Sequence, residues 1–176
     1  MLYDLTKPIH PEMEVWPGDR QFERTEKQFG DFVTSAVSMS LHGGTHMDAP
    51  SHLYRDGKTI DKLQPFILKT LVEKEANVRN KAVFFRDAIT AEKAQNLLEQ
   101  HVALVGTASA SIDKSGVTEV HSILLRAGIP IVENLLLDEV KPGEYISFIF
   151  PLKIVGADGS PVRVLLADTI QDLEMG

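Results

Sequence analysis

The sequence predicts an α/β fold richer in strand than in helix. Three observations carry this reading: apolar alternation over residues 33–41, two short helical stretches each followed by a β-like run, and a strand–turn–strand pattern near the end of the chain. A length of 176 residues with 43% hydrophobic content supports one domain, taken as 1–176, with enough apolar material for a sizeable core.

The elements follow in order. The first forty residues read as short extended pieces around a turn at Trp16-Pro17-Gly18-Asp19, where Pro-Gly supplies the turn dihedrals. Val33, Ser35, Val37, Met39 and Leu41 then share one parity, which predicts a strand with its odd positions turned toward the core. Residues 67–75 and 82–86 are further candidate strands, the second through Val83-Phe84-Phe85. Thr90 can cap a helix whose Ala91, Ala94, Leu97 and Leu98 share a face, running to about Gln100. Thr118 can cap a second helix, which ends at Gly128. The runs Val102–Val105 and Ile129–Val132 follow these helices, so crossover units on a sheet are expected. Tyr145–Phe150, Leu152–Val155, a turn at Ala157-Asp158-Gly159-Ser160 and Val162–Leu166 complete the chain as a hairpin.

Composition narrows the function. The net charge of −7 argues against nucleic acid or an anionic membrane surface as partner. The chain has no cysteine, which excludes disulfides, cysteine-held metal clusters and thiol catalysis. Met1-Leu2-Tyr3-Asp4-Leu5 does not resemble a secretory leader, and no apolar run approaches the ~18 residues of a membrane span. A cytoplasmic location and a small-molecule substrate are the expectations.

Chemistry concentrates in Leu41-His42-Gly43-Gly44-Thr45-His46-Met47-Asp48-Ala49-Pro50-Ser51-His52. Three of the six histidines and one aspartate fall within residues 42–52. Gly43-Gly44 and Pro50 oppose a helix here, so the segment reads as extended. His42, His46, Asp48 and His52 then share even parity and face one side, given a bend at the glycines. Imidazoles with a carboxylate suit zinc, manganese or iron rather than calcium; the alternative is a histidine-rich polar loop.

A metal site needs further ligands, and the second helix offers His121. From His121 to Gly128 a helix advances about 10 Å, and from Ile129 to Glu133 a strand returns about 13 Å. Glu133 therefore ends level with His121. A lone carboxylate in the apolar run Ile129–Leu136 also needs a partner. The competing reading places His121 on a helix surface and Glu133 in a salt bridge at a strand end.

These residues resemble the HxGTHxDxPxH motif of the cyclase/kynurenine formamidase family of metal-dependent hydrolases. The resemblance extends to Trp16-Pro17-Gly18-Asp19, to the segment from His121 to Leu135, and to the segment from Pro151 to Arg163. It implies a swivelling β/β/α domain, usually in homodimers or homotetramers. It implies one or two divalent ions per chain, zinc first and manganese second. His42, His46 and Asp48 would hold the first ion. Asp48, His121 and Glu133 would hold the second. His52 would match the general acid/base, and Trp16 a substrate-stacking wall. The implied activity is hydrolysis of a C–N bond in a small amide, an aryl formamide or a cyclic amide by metal-activated water. An idle metal-binding domain and a cyclising or dehydrating enzyme are the alternatives. Two departures from the family pattern bear on substrate recognition: Arg86-Asp87-Ala88-Ile89 replaces a longer loop, and Ala108 stands where relatives commonly carry Asp.

Overall fold

The computed structural model describes residues 1–114 and 116–168. In chain order the strands are β1 (Leu2–Asp4), β2 (Glu23–Phe29), β3 (Phe32–Ser38), β4 (His46–Asp48), β5 (Phe66–Val72) and β6 (Ala82–Phe85). Helix α1 (Ala91–Glu99), β7 (Leu104–Thr107), α2 (Glu119–Arg126), β8 (Ile131–Glu133), β9 (Gly143–Pro151) and β10 (Gly159–Ala167) follow. Among the described residues no helix is long and apolar enough to cross a membrane.

The main sheet runs β1-β10-β4-β8-β7-β6-β5-β9, and β9 pairs again with β10. Seven strands thereby close into a ring, with β1 added beside one end of β10. Closure removes the exposed edges that an open sheet would leave. The crossover units are as the sequence indicates: β6, β7 and β8 lie parallel, joined through α1 and α2. β9 and β10 form the expected antiparallel hairpin, although Leu152–Val155 is loop rather than strand.

Two apolar clusters lie on the two sides of the sheet. One gathers Met47, Phe84, Val132, Leu135 and Ile149, and the other packs Val83, Val105 and Ile131 against Leu97, Leu124 and Leu125 of the helices. Neighbouring residues of β6, β7 and β8 serve opposite clusters, which is why these strands read as unbroken apolar runs. Thr90 caps α1 by accepting from the Lys93 N–H. The Thr118 side chain, by contrast, makes no capping bond. Asp113 does that work for α2, since its Oδ1 accepts from the Val120 N–H at 2.8 Å.

Strand β3 departs further from the sequence pattern. The alternation through Val33 and Val37 does make a strand, but its odd positions do not face a core. β2 and β3 form a separate two-stranded ribbon in which every residue is exposed. Parity reports that one side is more apolar than the other, not that anything within the same chain covers it.

Candidate metal centre

Strand β4 is the floor of the site. Its three residues are buried, with β10 on one edge and β8 on the other. His46 and Asp48 are two residues apart and therefore share a face. His46 stands directly opposite Glu133 of β8, so the pairing brings a third polar side chain to that face. Met47 points the other way and enters the core beside Val132.

The turn before β4 sets the histidine orientations. Gly44 has φ 65°, in the left-handed region, which allows its carbonyl to accept from Nδ1–H of His46 at 2.9 Å. That bond leaves Nε2 aimed at Asp48 Oδ1 (3.4 Å) and Glu133 Oε2 (3.5 Å). Thr45 holds the same turn, donating to the Asn134 carbonyl at 2.7 Å and accepting from the Lys7 N–H at 2.8 Å.

His121 lies in the first turn of α2. Its Nδ1–H donates to Asp113 Oδ2 at 2.6 Å, leaving Nε2 3.4 Å from Asp48 Oδ2 and 3.4 Å from Glu133 Oε1. The helix advance and strand return therefore do bring His121 and Glu133 level. Asp113 itself is buried, and nothing in the sequence singles it out. Its one visible signal is an acid a few residues ahead of a helix start, which many loops share. Glu133 is held in turn, accepting from the Ile112 N–H at 2.6 Å through Oε1.

His42 and His52 reach the site by other routes than shared parity. His42 sits in the turn before the glycines, with Nδ1 2.8 Å from Asp48 Oδ1. His52 ends the 3-10 helix Pro50–His52, exposed, with its ring centroid 4.1 Å from that of His42. All six side chains, His42, His46, Asp48, His52, His121 and Glu133, thus meet at one place. His46, Asp48 and Glu133 offer donor atoms within 4.8 Å of one another, and so do His42, Asp48 and His52.

The electrostatics favour positive charge at this centre. Burial disfavours a charged His46, yet Asp48 and Glu133 outweigh it and push its pKa up to about 10. His121 is pushed up to about 11 against the same burial by the same two carboxylates. Burial would raise Asp48, but His46, His121 and His42 hold it well below the usual carboxylate range. Oδ2 of Asp48 is buried and makes no hydrogen bond, its charge being met only by Nε2 of His121 at 3.4 Å. A carboxylate flanked on its two oxygens by imidazole Nε2 atoms, one of those oxygens making no hydrogen bond, fits a divalent ion.

A cavity of about 730 Å³ opens over this cluster, walled by Trp16, Asp19, Leu53, Ala88, Lys114 and Val117 among others. Trp16 is 61% exposed and lines it from the turn before the ribbon. Ala88, in the connection between β6 and α1, also lines it, so that connection borders the cavity. His10 pairs with exposed Glu12 away from the cluster.

Known proteins resemble this chain in sequence and in fold. A sequence profile of the Cyclase family matches residues 3–101. A kynurenine formamidase of Bacillus cytotoxicus is 33% identical over 93% of this chain and 95% of its own length, and one from Salinibacter ruber is 31% identical over 95% and 97%. A solved structure described as a potential metal-dependent hydrolase with cyclase activity superposes with a TM-score of 0.77 at 27% identity, covering 96% of this chain and 99% of the other. Isatin hydrolase A of Labrenzia aggregata shares the fold, with a TM-score of 0.84 at 22% identity over 96% and 94%. The chain belongs to the cyclase/kynurenine formamidase-like family of metal-dependent hydrolases.

Proposed function

We propose that this family member hydrolyses the C–N bond of a small aryl formamide, in the manner of an arylformamidase, with a cyclic amide of the isatin type as the neighbouring substrate class. The observation that carries the proposal is Asp48: a buried carboxylate with one orphaned oxygen, ringed by three imidazoles and Glu133 at the floor of an open cavity. In this reading His42, His46 and Asp48 hold one ion, and Asp48, His121 and Glu133 hold a second, zinc or manganese. A bound ion supplies Lewis acidity, lowering the pKa of water and polarising a carbonyl oxygen.

The chain's own groups complete the chemistry. His52 is exposed at the cavity wall, where it can take a proton from water and return it to the departing nitrogen. Trp16 presents an aromatic face on which an aryl ring can stack. Only the aryl part of the substrate needs that wall, which suits an amide bearing an aromatic ring.

Assembly belongs to the same proposal. An isolated two-stranded hairpin is marginal in water, yet Phe29, Phe32, Val33 and Val37 stand 53%, 77%, 59% and 61% exposed on β2–β3. A homodimer or homotetramer that covers this ribbon accounts for both facts, and it would place a neighbour close to the Trp16 turn.

The test is hydrolysis of N-formylkynurenine and of isatin by protein loaded with Zn²⁺ or Mn²⁺. Turnover of at least one amide, lost on chelation, is the expected result. His52→Ala should lower kcat ~10²–10⁴-fold with the ion retained. Full ion occupancy without turnover of either amide would instead favour an idle binder.

A further inference from the structure

We propose that Asp158 is a positioning residue that aligns His42 and His52 through a single carboxylate oxygen. Oδ2 of Asp158 lies 3.0 Å from Nε2 of His42 and 3.1 Å from Nδ1 of His52. A carboxylate oxygen can accept from both rings at once. With its proton held on Nε2, His42 is left with Nδ1, 2.8 Å from Asp48 Oδ1, to offer an ion bound beside Asp48. His52 carries its proton on Nδ1 and keeps Nε2 as a free base. Carboxylates behind metal-ligating imidazoles commonly fix the tautomer in this way. Here the same oxygen fixes a ligand and its neighbouring base together.

The surroundings are built for this contact. The Asp158 carbonyl accepts from the Ala49 N–H at 2.8 Å, which ties its backbone to the residue after β4. The next residue, Gly159, pairs with Asp48 across the sheet. A Cβ on Gly159 would meet Cε1 of His42 at 2.6 Å and Nε2 at 3.1 Å, so the imidazole occupies the space that any other residue would fill. The Asp-Gly pair, which reads in the sequence as a turn, places the acceptor and leaves room for the ring it holds. The part of the inference that concerns His52 as a base rests on the proposed hydrolase activity; the alignment of His42 does not.

The experiment compares wild type, Asp158→Ala, Asp158→Asn and the double variant Asp158→Ala/His52→Ala, all as the full chain. Imidazole ¹⁵N NMR of the Zn²⁺-loaded protein reads the tautomers, competition with a chelator reads Zn²⁺ affinity, and N-formylkynurenine turnover reads the rate. The Asp158 carboxylate is 46% exposed, so its removal should leave the melting temperature near that of wild type. Asp158→Ala should lose the Nδ1-protonated pattern of His52 and weaken Zn²⁺ ~10–100-fold, and Asp158→Asn, which keeps an acceptor oxygen, should restore most of both. In the His52→Ala background the further loss of kcat from Asp158→Ala should shrink, while the loss of Zn²⁺ affinity persists. Unchanged tautomers and Zn²⁺ affinity in Asp158→Ala would overturn the inference. Altered tautomers and affinity in a protein whose wild type hydrolyses no amide would uphold the alignment and reject the hydrolase reading.

Discussion

Strands β3 and β4 follow one another in the chain and stand at opposite extremes of exposure. Every residue of β3 is exposed, including Phe32, Val33 and Val37; every residue of β4 is buried, including His46 and Asp48. Each inverts the usual assignment of apolar groups to the interior and charged groups to water. A buried carboxylate with an oxygen that makes no hydrogen bond has a coordination position to offer a metal ion in place of the imidazole protons around it. An exposed apolar ribbon calls for a covering surface. Among the described residues neither strand is completed by its neighbours, and the kind of group left over differs: an oxygen that suits an ion in β4, apolar side chains that suit a covering surface in β3.

The most drastic way to break the comparison is to make the ribbon polar. Phe32→Asp combined with Val37→Asp should convert the proposed oligomer to monomers in light scattering at micromolar concentration. The monomer should stay folded, because substitutions at exposed positions usually change stability by no more than ~0.5 kcal/mol. A double variant with the molar mass of wild type would show that β2–β3 is not the interface.

A smaller effect sharpens the β4 side. In chelated protein His46 and His121 are raised from 6.5 to about 10 and about 11, so their contribution to stability is whole below pH 6.5 and drains away as pH climbs through those values. Asp48 is lowered from 3.8, so its contribution is present above that pH and disappears only in acid. The melting temperature of chelated protein should therefore fall steadily from about pH 6.5 upward. Zn²⁺-loaded protein should move the other way relative to it, because a metal competes with protons for the same nitrogens and binds better as they leave. Parallel melting curves for the two forms across pH 6.5–9.5 would contradict a cation shared between these groups.

Much of this was legible in the residues, for reasons that differ by region. The strand–helix–strand order from Ala82 to Glu133 follows from apolar periodicity and from Thr90, because local propensity and sheet packing agree there. The meeting of His121 and Glu133 follows from two rises per residue that nearly cancel. Even parity puts His46 and Asp48 on one face, but His42 arrives by a turn and His52 by a 3-10 helix, conformations that parity does not encode. Asp113 and Asp158 escaped because each acts across the fold, one on a helix start and one on two rings from another strand's flank. The exposure of β3 is hidden for the opposite reason: its pattern is that of a covered strand, and none of the described residues covers it.

The central claim is that Asp48 lies between the donors of a divalent-ion site. The most direct measurement is an anomalous difference map, collected at the zinc or manganese edge from crystals grown with that ion, alongside the Asp48→Asn variant. The account predicts a peak ~2.0–2.3 Å from an Asp48 carboxylate oxygen and from imidazole nitrogens of its histidine neighbours, lost or sharply weakened in the variant. A map with no peak among His42, His46, Asp48, His121 and Glu133, or a peak that Asp48→Asn leaves unchanged, would contradict it.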